Sequence, residues 1–142
     1  MSFEEKGTWV YLVVTVSTYV AYAATILGRA DGGSLADVPY EPALVWAVGI
    51  AVVLSILGRI AIVISSPKDA DKKDERDRQI YRFGEFIGQS FVVLGGVGAL
   101  VMSIAEADYF WISNLIYLTF VLSAILASVA KIVAYRRGLP SW

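Results

Sequence analysis

Four long apolar runs, each almost free of charge, set the limits on what this chain can fold into. They cover residues 8–27, 43–64, 83–104 and 110–135. The first contains no charged residue, the second is interrupted only by Arg59, the third carries Glu85 near its start, and the fourth carries Lys131 near its end. Each reaches the ~20 residues that a helix needs to cross a ~30 Å hydrocarbon layer. Lipid offers no partner for backbone N–H and C=O groups, so such runs satisfy their own hydrogen bonds as helices. The 142 residues therefore read as one all-α integral membrane domain, residues 1–142, with four transmembrane helices and a charged loop at 65–82. Lys6 and the sequence Ala21-Tyr22-Ala23 imitate a cleavable secretion signal, but Glu4-Glu5-Lys6 is not net basic. The first run is expected to remain as a span.

Composition narrows the chemistry. Apolar residues make up 57% of the chain and charged residues 18%, against about a quarter charged in an ordinary soluble domain. There is no cysteine, which excludes disulfides, a thiol nucleophile and thiolate metal sites. There is no histidine, which removes the commonest metal ligand and the commonest general base near neutral pH. Neither an enzyme nor a cofactor is expected.

The basic residues fix an orientation, because Lys and Arg favour the cytoplasmic ends of spans. The loop at 65–82 holds Lys68, Lys72, Lys73, Arg76, Arg78 and Arg82, the C-terminal segment adds Arg136 and Arg137, and Lys6 precedes the first span. The other two connections hold Asp31, Asp37, Glu41, Glu106 and Asp108 against a single Arg29. Both termini and the central loop are expected to be cytoplasmic. Trp9, Tyr40, Trp46, Tyr81, Tyr109, Trp111 and Tyr135 lie near span ends, where an aromatic belt belongs. The connection Glu106-Ala107-Asp108 is short enough to make spans three and four a tight antiparallel hairpin. The connection at 29–42 contains Gly32-Gly33-Ser34 and Pro39 and reads as a flexible turn region.

The charged loop has its own local signals. Ser66-Pro67 suits a helix N-cap and first position. Asp69/Lys73 and Asp74/Arg78 are spaced i,i+4 with the acid first, and Lys73/Asp77 adds the reverse pair. A charged helical extension of span three, starting near Asp71, is expected. It serves either as a solvated helix end or as a docking surface for a soluble protein. Asp74 and Asp77 share a face but lack a third ligand, so no metal is expected there.

Asp74-Glu75-Arg76-Asp77 followed by Ile80, Phe110-Trp111-Ile112-Ser113-Asn114-Leu115 and Tyr135-Arg136-Arg137-Gly138 carry a family resemblance. The stretch 70–138 resembles a family of small membrane proteins of unknown function found in bacteria and archaea, with a cytoplasmic D-E-R-D-x-x-I signature. Their genes often lie beside one for a small Cro-like helix-turn-helix repressor. The resemblance implies a protein of the cytoplasmic (inner) membrane of a prokaryote that partners a transcription regulator and does not itself bind nucleic acid. It implies no enzyme activity and assigns no role to Asp74, Glu75, Arg76, Asp77, Tyr135, Arg136 or Arg137.

Polar residues within the spans supply further candidates. Arg59 lies ~9 Å, Lys131 ~7.5 Å and Glu85 ~4.5 Å inside the helix ends at 1.5 Å per residue. Intramembrane charges face the bundle or find partners. An Arg59–Glu85–Lys131 cluster, with Gln89 one turn deeper than Glu85, would join spans two, three and four; the alternative is snorkelling of Arg59 and Lys131 to the headgroups. Tyr11, Thr15, Thr18, Tyr22, Thr25 and Arg29 form one stripe on span one, suited to interhelical hydrogen bonds or to the wall of a ligand cavity. Gly84, Gly88, Gly95 and Ala99 form a small-residue face on span three that permits close helix approach. It would either pack the hairpin or make a homodimer.

Two function classes remain. One is a non-enzymatic membrane partner or sensor, with self-immunity as a variant, that docks a cytoplasmic regulator through Asp71, Asp74, Glu75, Arg76, Asp77, Arg78, Arg136 and Arg137. The other is a subunit of a small oligomeric transporter or channel. Nine of the twelve basic residues lie in the termini and the central loop. A reporter fused after Trp142 is therefore expected to report a cytoplasmic location, and activity of that fusion on the outer side overturns the orientation.

Overall fold

The computed structural model describes residues 1–70 and 73–140. Four helices account for most of them: α1 (Phe3–Ala30), α2 (Glu41–Ser65), α3 (Glu75–Ile104) and α4 (Tyr109–Arg137), with one turn of 3-10 helix, Leu35–Asp37, between α1 and α2. All four are long and apolar enough to cross a membrane, the architecture of a multi-pass membrane protein. At 25 to 30 residues each, they exceed the ~20 that hydrocarbon requires. Their polar ends therefore project beyond it.

The helix ends follow local chemistry. Ser2 caps α1 by accepting from the Glu5 N–H at 3.1 Å, and Glu4 and Glu5 in the first turn complement the helix dipole. Asp74 caps α3 through a reciprocal capping box. Its Oδ1 accepts from the Asp77 N–H at 2.8 Å, and Asp77 Oδ2 accepts from the Asp74 N–H at 3.2 Å. This corrects the expected helix start. Ser66 is the C-cap of α2, not the N-cap of α3, and the helix begins after Asp74 rather than near Asp71. Asp69 and Lys73 precede it, so the Asp69/Lys73 and Lys73/Asp77 helical pairings do not arise. Lys73 sits over the Tyr81 ring at 5.1 Å instead.

Packing runs in the spatial order α2–α1–α4–α3. The tightest contact is the antiparallel α3–α4 hairpin. A side chain on Gly88 would meet the Ser123 carbonyl at 2.7 Å and the Ala127 methyl at 3.0 Å; one on Gly84 would meet the Ala127 carbonyl at 2.8 Å, and one on Gly95 would collide with Thr119. The small-residue face therefore packs the hairpin, leaving Ala99 half-buried beyond it. At the crossing of α1 and α2, Gly58 leaves room for Val10, and Gly7 leaves room for the Arg59 guanidinium.

The connection at 29–42 makes the turn expected from its glycines and then lies against the bundle. The chain reverses at Asp31 and Gly32, both with positive φ, and then buries Val38 and Tyr40. The Tyr40 hydroxyl lies 3.0 Å from Ser113 Oγ, and its ring meets Phe110 edge-on at 5.4 Å. Gly88→Leu is expected to destabilise the detergent-solubilised protein by about 1–3 kcal/mol, the usual cost of overpacking. Gly96 has open space around it, so Gly96→Leu should leave thermal unfolding, followed by helical circular dichroism, nearly unchanged. Equal effects of the two variants would place the close contact elsewhere.

Candidate functional site

The start of α1, the end of α2, the start of α3 and the end of α4 meet at one end of the bundle, joined by a polar network. Glu4 accepts from Arg59 Nη2 at 3.1 Å, tying α1 to α2. Glu5 accepts from Arg136 Nε at 2.7 Å, tying α1 to α4; the Glu5 side chain is 7% exposed and that of Arg136 is 57% exposed. The Tyr135 hydroxyl donates to Asp77 Oδ1 at 3.0 Å, and Arg76 Nη2 donates to the Tyr135 carbonyl at 3.3 Å. Lys131 Nζ donates to Glu85 Oε1 at 2.6 Å. Two of the ion-paired basic groups also sit over aromatic faces: Arg59 over Phe3 at 4.5 Å and Lys131 over Tyr81 at 4.3 Å.

Arg59, Glu85 and Lys131 do line one cavity, of about 340 Å³, together with Glu4, Tyr11 and Tyr81. They do so as two separate pairs. Arg59 is held by Glu4, because Gly7 lets the guanidinium reach across α1, and Glu85 is held by Lys131, whose stem crosses α3 at Gly84. Gln89 is exposed on α3. Glu4 and Glu5 were not among the sequence candidates. Their signal was present, as two acids beside a basic residue just ahead of an apolar run, but it reads equally well as a solvated helix start.

The docking candidates divide into two groups. Asp74 and Asp77 are engaged in the helix cap, Asp77 and Arg76 also hold Tyr135, and Arg136 holds Glu5. Glu75 and Arg78 lie on the surface, 3.7 Å from each other, and Arg137 is exposed. Asp71 lies outside the described residues. The D-E-R-D and Y-R-R-G segments, 58 residues apart at Asp77 and Tyr135, are thus in direct contact.

The polar stripe of α1 also divides. Tyr22 makes an interhelical hydrogen bond, donating to Asn114 Oδ1 at 2.5 Å, and packs edge-on against Tyr117 at 5.0 Å. Thr18 and Thr25 donate to carbonyls of their own helix, at Val14 and Ala21, both at 2.8 Å. Tyr11, Thr15 and Thr18 line a groove of about 360 Å³ between α2 and α4, with Ser55, Val52 and Phe120 among its other walls. Thr18, Tyr22, Thr25 and Arg29 line the next cavity, of about 300 Å³. Among the described residues, no group of three metal-ligating side chains occurs.

Comparison with protein-family models, with curated proteins and with solved structures finds no match.

The two ion pairs predict which double-mutant cycles couple. Glu85→Gln combined with Lys131→Met should be non-additive by roughly 0.5–3 kcal/mol, the range for contacting pairs. Glu85→Gln combined with Arg59→Leu should be additive in detergent unfolding. Coupling of Glu85 to Arg59 instead would contradict the pairing described.

Proposed function

We propose that the protein is a non-enzymatic membrane partner of a soluble cytoplasmic regulator, and that it holds this regulator at the end of the bundle carrying both termini. The observation that carries the reading is the contact of Asp77 and Arg76 with Tyr135. It joins two of the three segments of the family resemblance, D-E-R-D and Y-R-R-G, into one surface and fixes that surface to the helices. Glu75, Arg78 and Arg137 project from it, so charges of both signs are available in a fixed arrangement. Such arrangements select partners by complementarity rather than by bulk charge. The excess of basic residues at this end supports a cytoplasmic location in a prokaryotic inner membrane. The lack of histidine and cysteine in the sequence leaves little for enzymatic chemistry. The implied partner is a small helix-turn-helix protein, which would itself bind DNA.

A second reading draws on the cavities that follow one another along α1. The charged cavity and the groove share Tyr11, and the groove and the next cavity share Thr18. A second copy of the chain closing them would make an oligomeric conduit. Ion flux through the protein in vesicles, absent in a Thr15→Leu variant, would favour that reading over docking.

Because Asp74 and Asp77 support the fold, the informative docking variant leaves them intact. Affinity purification from native membranes in mild detergent should recover a small helix-turn-helix protein with the wild type. The variant Glu75→Lys/Arg78→Glu/Arg137→Glu, inserted normally, should recover less than about a tenth as much, the loss that ~1.4 kcal/mol of interaction represents. Undiminished recovery by the triple variant overturns the docking surface.

A further inference from the structure

We infer that the groove along α1 and the charged cavity at its end form one binding site for a membrane phospholipid with a zwitterionic, primary-amine headgroup, drawn from the leaflet on the side of both termini. The charged cavity holds two groups of each sign: Glu4 and Glu85, Arg59 and Lys131. Both ion pairs leave capacity unused. A guanidinium has five N–H donors, and the Arg59 side chain remains 45% exposed beside its bond to Glu4. Its remaining donors suit a phosphate, which an Arg fork matches well. Glu85 uses Oε1 for Lys131, while its side chain is 53% exposed. Its other oxygen suits an ammonium that carries N–H groups.

The polarity beyond this chamber falls off in the order that a phospholipid requires. Ser55 lies one turn deeper than Arg59 on α2, and Tyr11 lies two turns deeper than Glu4 on α1. Both line the groove. Their hydroxyls are donors suited to the ester carbonyls of a lipid. Further in, the walls are Val52, Phe120 and Val121, and the Thr18 hydroxyl is turned back onto its own helix. These apolar walls suit an acyl chain. The chamber of about 340 Å³ and the groove of about 360 Å³ adjoin at Tyr11, which lines both. Each falls within the roughly 300–1,000 Å³ range of small-molecule sites.

Headgroup chemistry sets the selectivity. A quaternary ammonium has no N–H to donate to Glu85. A headgroup with net negative charge places its phosphate at Arg59 but brings no ammonium to the open oxygen of Glu85, and so adds a charge that the balanced pairs of the cavity do not offset. The site is therefore selective for phosphatidylethanolamine over phosphatidylcholine and phosphatidylglycerol, and this does not depend on whether a soluble partner docks at the surface above it.

The test is native mass spectrometry of the full chain in mild detergent, with equimolar dioleoyl phosphatidylethanolamine, phosphatidylcholine and phosphatidylglycerol in competition. The ethanolamine adduct should exceed each of the others by about tenfold, the worth of a charge-assisted hydrogen bond. Ser55→Leu fills the groove without touching either ion pair and should lower that adduct by a similar factor, whereas the outward-facing Gly96→Leu should not change it. Equal retention of the three lipids, preference for phosphatidylglycerol, or an unchanged adduct in a folded Ser55→Leu variant overturns the site. The wild-type competition needs no variant and decides by itself.

Discussion

The close approach of α3 to α4 is the contact on which the rest of the structure depends. Lipid is as apolar as a leucine side chain, so membrane helices gain little from burying apolar surface against each other. They associate instead through close packing and a few polar bonds. Gly84, Gly88 and Gly95 remove the side chains that would hold the two backbones apart. With the helices this close, the Lys131 stem crosses Gly84 and delivers its ammonium to Glu85, and Tyr135 comes within reach of Asp77. The outer helices are then attached in series, α1 to α4 and α2 to α1.

Polar joints secure this arrangement at both ends. At one end, Glu5 is buried against an exposed Arg136, an asymmetric pair. Loss of the arginine would leave a carboxylate without its partner in a poorly solvated place, whereas loss of the carboxylate leaves the arginine in contact with water. At the other end, Ser113 and Asn114 of α4 meet Tyr40 of the folded connection and Tyr22 of α1. The stretches 74–77, 110–115 and 135–138 therefore all contribute to joints between elements. Interhelical hydrogen bonds in membranes average about 0.6 kcal/mol each, so they set register and orientation more than they set total stability.

These structural duties bear on function. A cap or an ion pair that holds helices together is a poor candidate for partner contact, since using it would loosen the fold. The charges left over are Glu75, Arg78 and Arg137 on the outside, together with the incompletely used Arg59 and Glu85 inside the charged cavity. The first set is exposed at the end of the bundle, and the second lies beside an apolar groove. The proposed docking surface and the proposed lipid site are thus neighbours at one end of the bundle, where Glu4 and Glu5 in adjacent positions of α1 hold Arg59 and Arg136.

The number of helices, the α3–α4 hairpin and the glycine face were legible in the sequence. Span length, connection length and small-residue spacing are local quantities, and the membrane leaves helix as their only outcome. The start of α3 was not legible. Ser66-Pro67 satisfies the local rule for a helix start, but α2 runs on to Ser65 and takes Ser66 as its own end. The connection at 29–42 turns at Asp31 and Gly32, as its glycines suggest, but the burial of Val38 and Tyr40 against the bundle rests on tertiary contacts that a local reading does not reach. Ion-pair partners lay furthest from view. The sequence places Arg59, Glu85 and Lys131 at similar depths, and all three do line one cavity. Which acid each base takes is decided by the crossings at Gly7 and Gly84, because a charge pairs with whatever the packed backbones bring within ~3 Å of it, and depth along a helix does not specify that register.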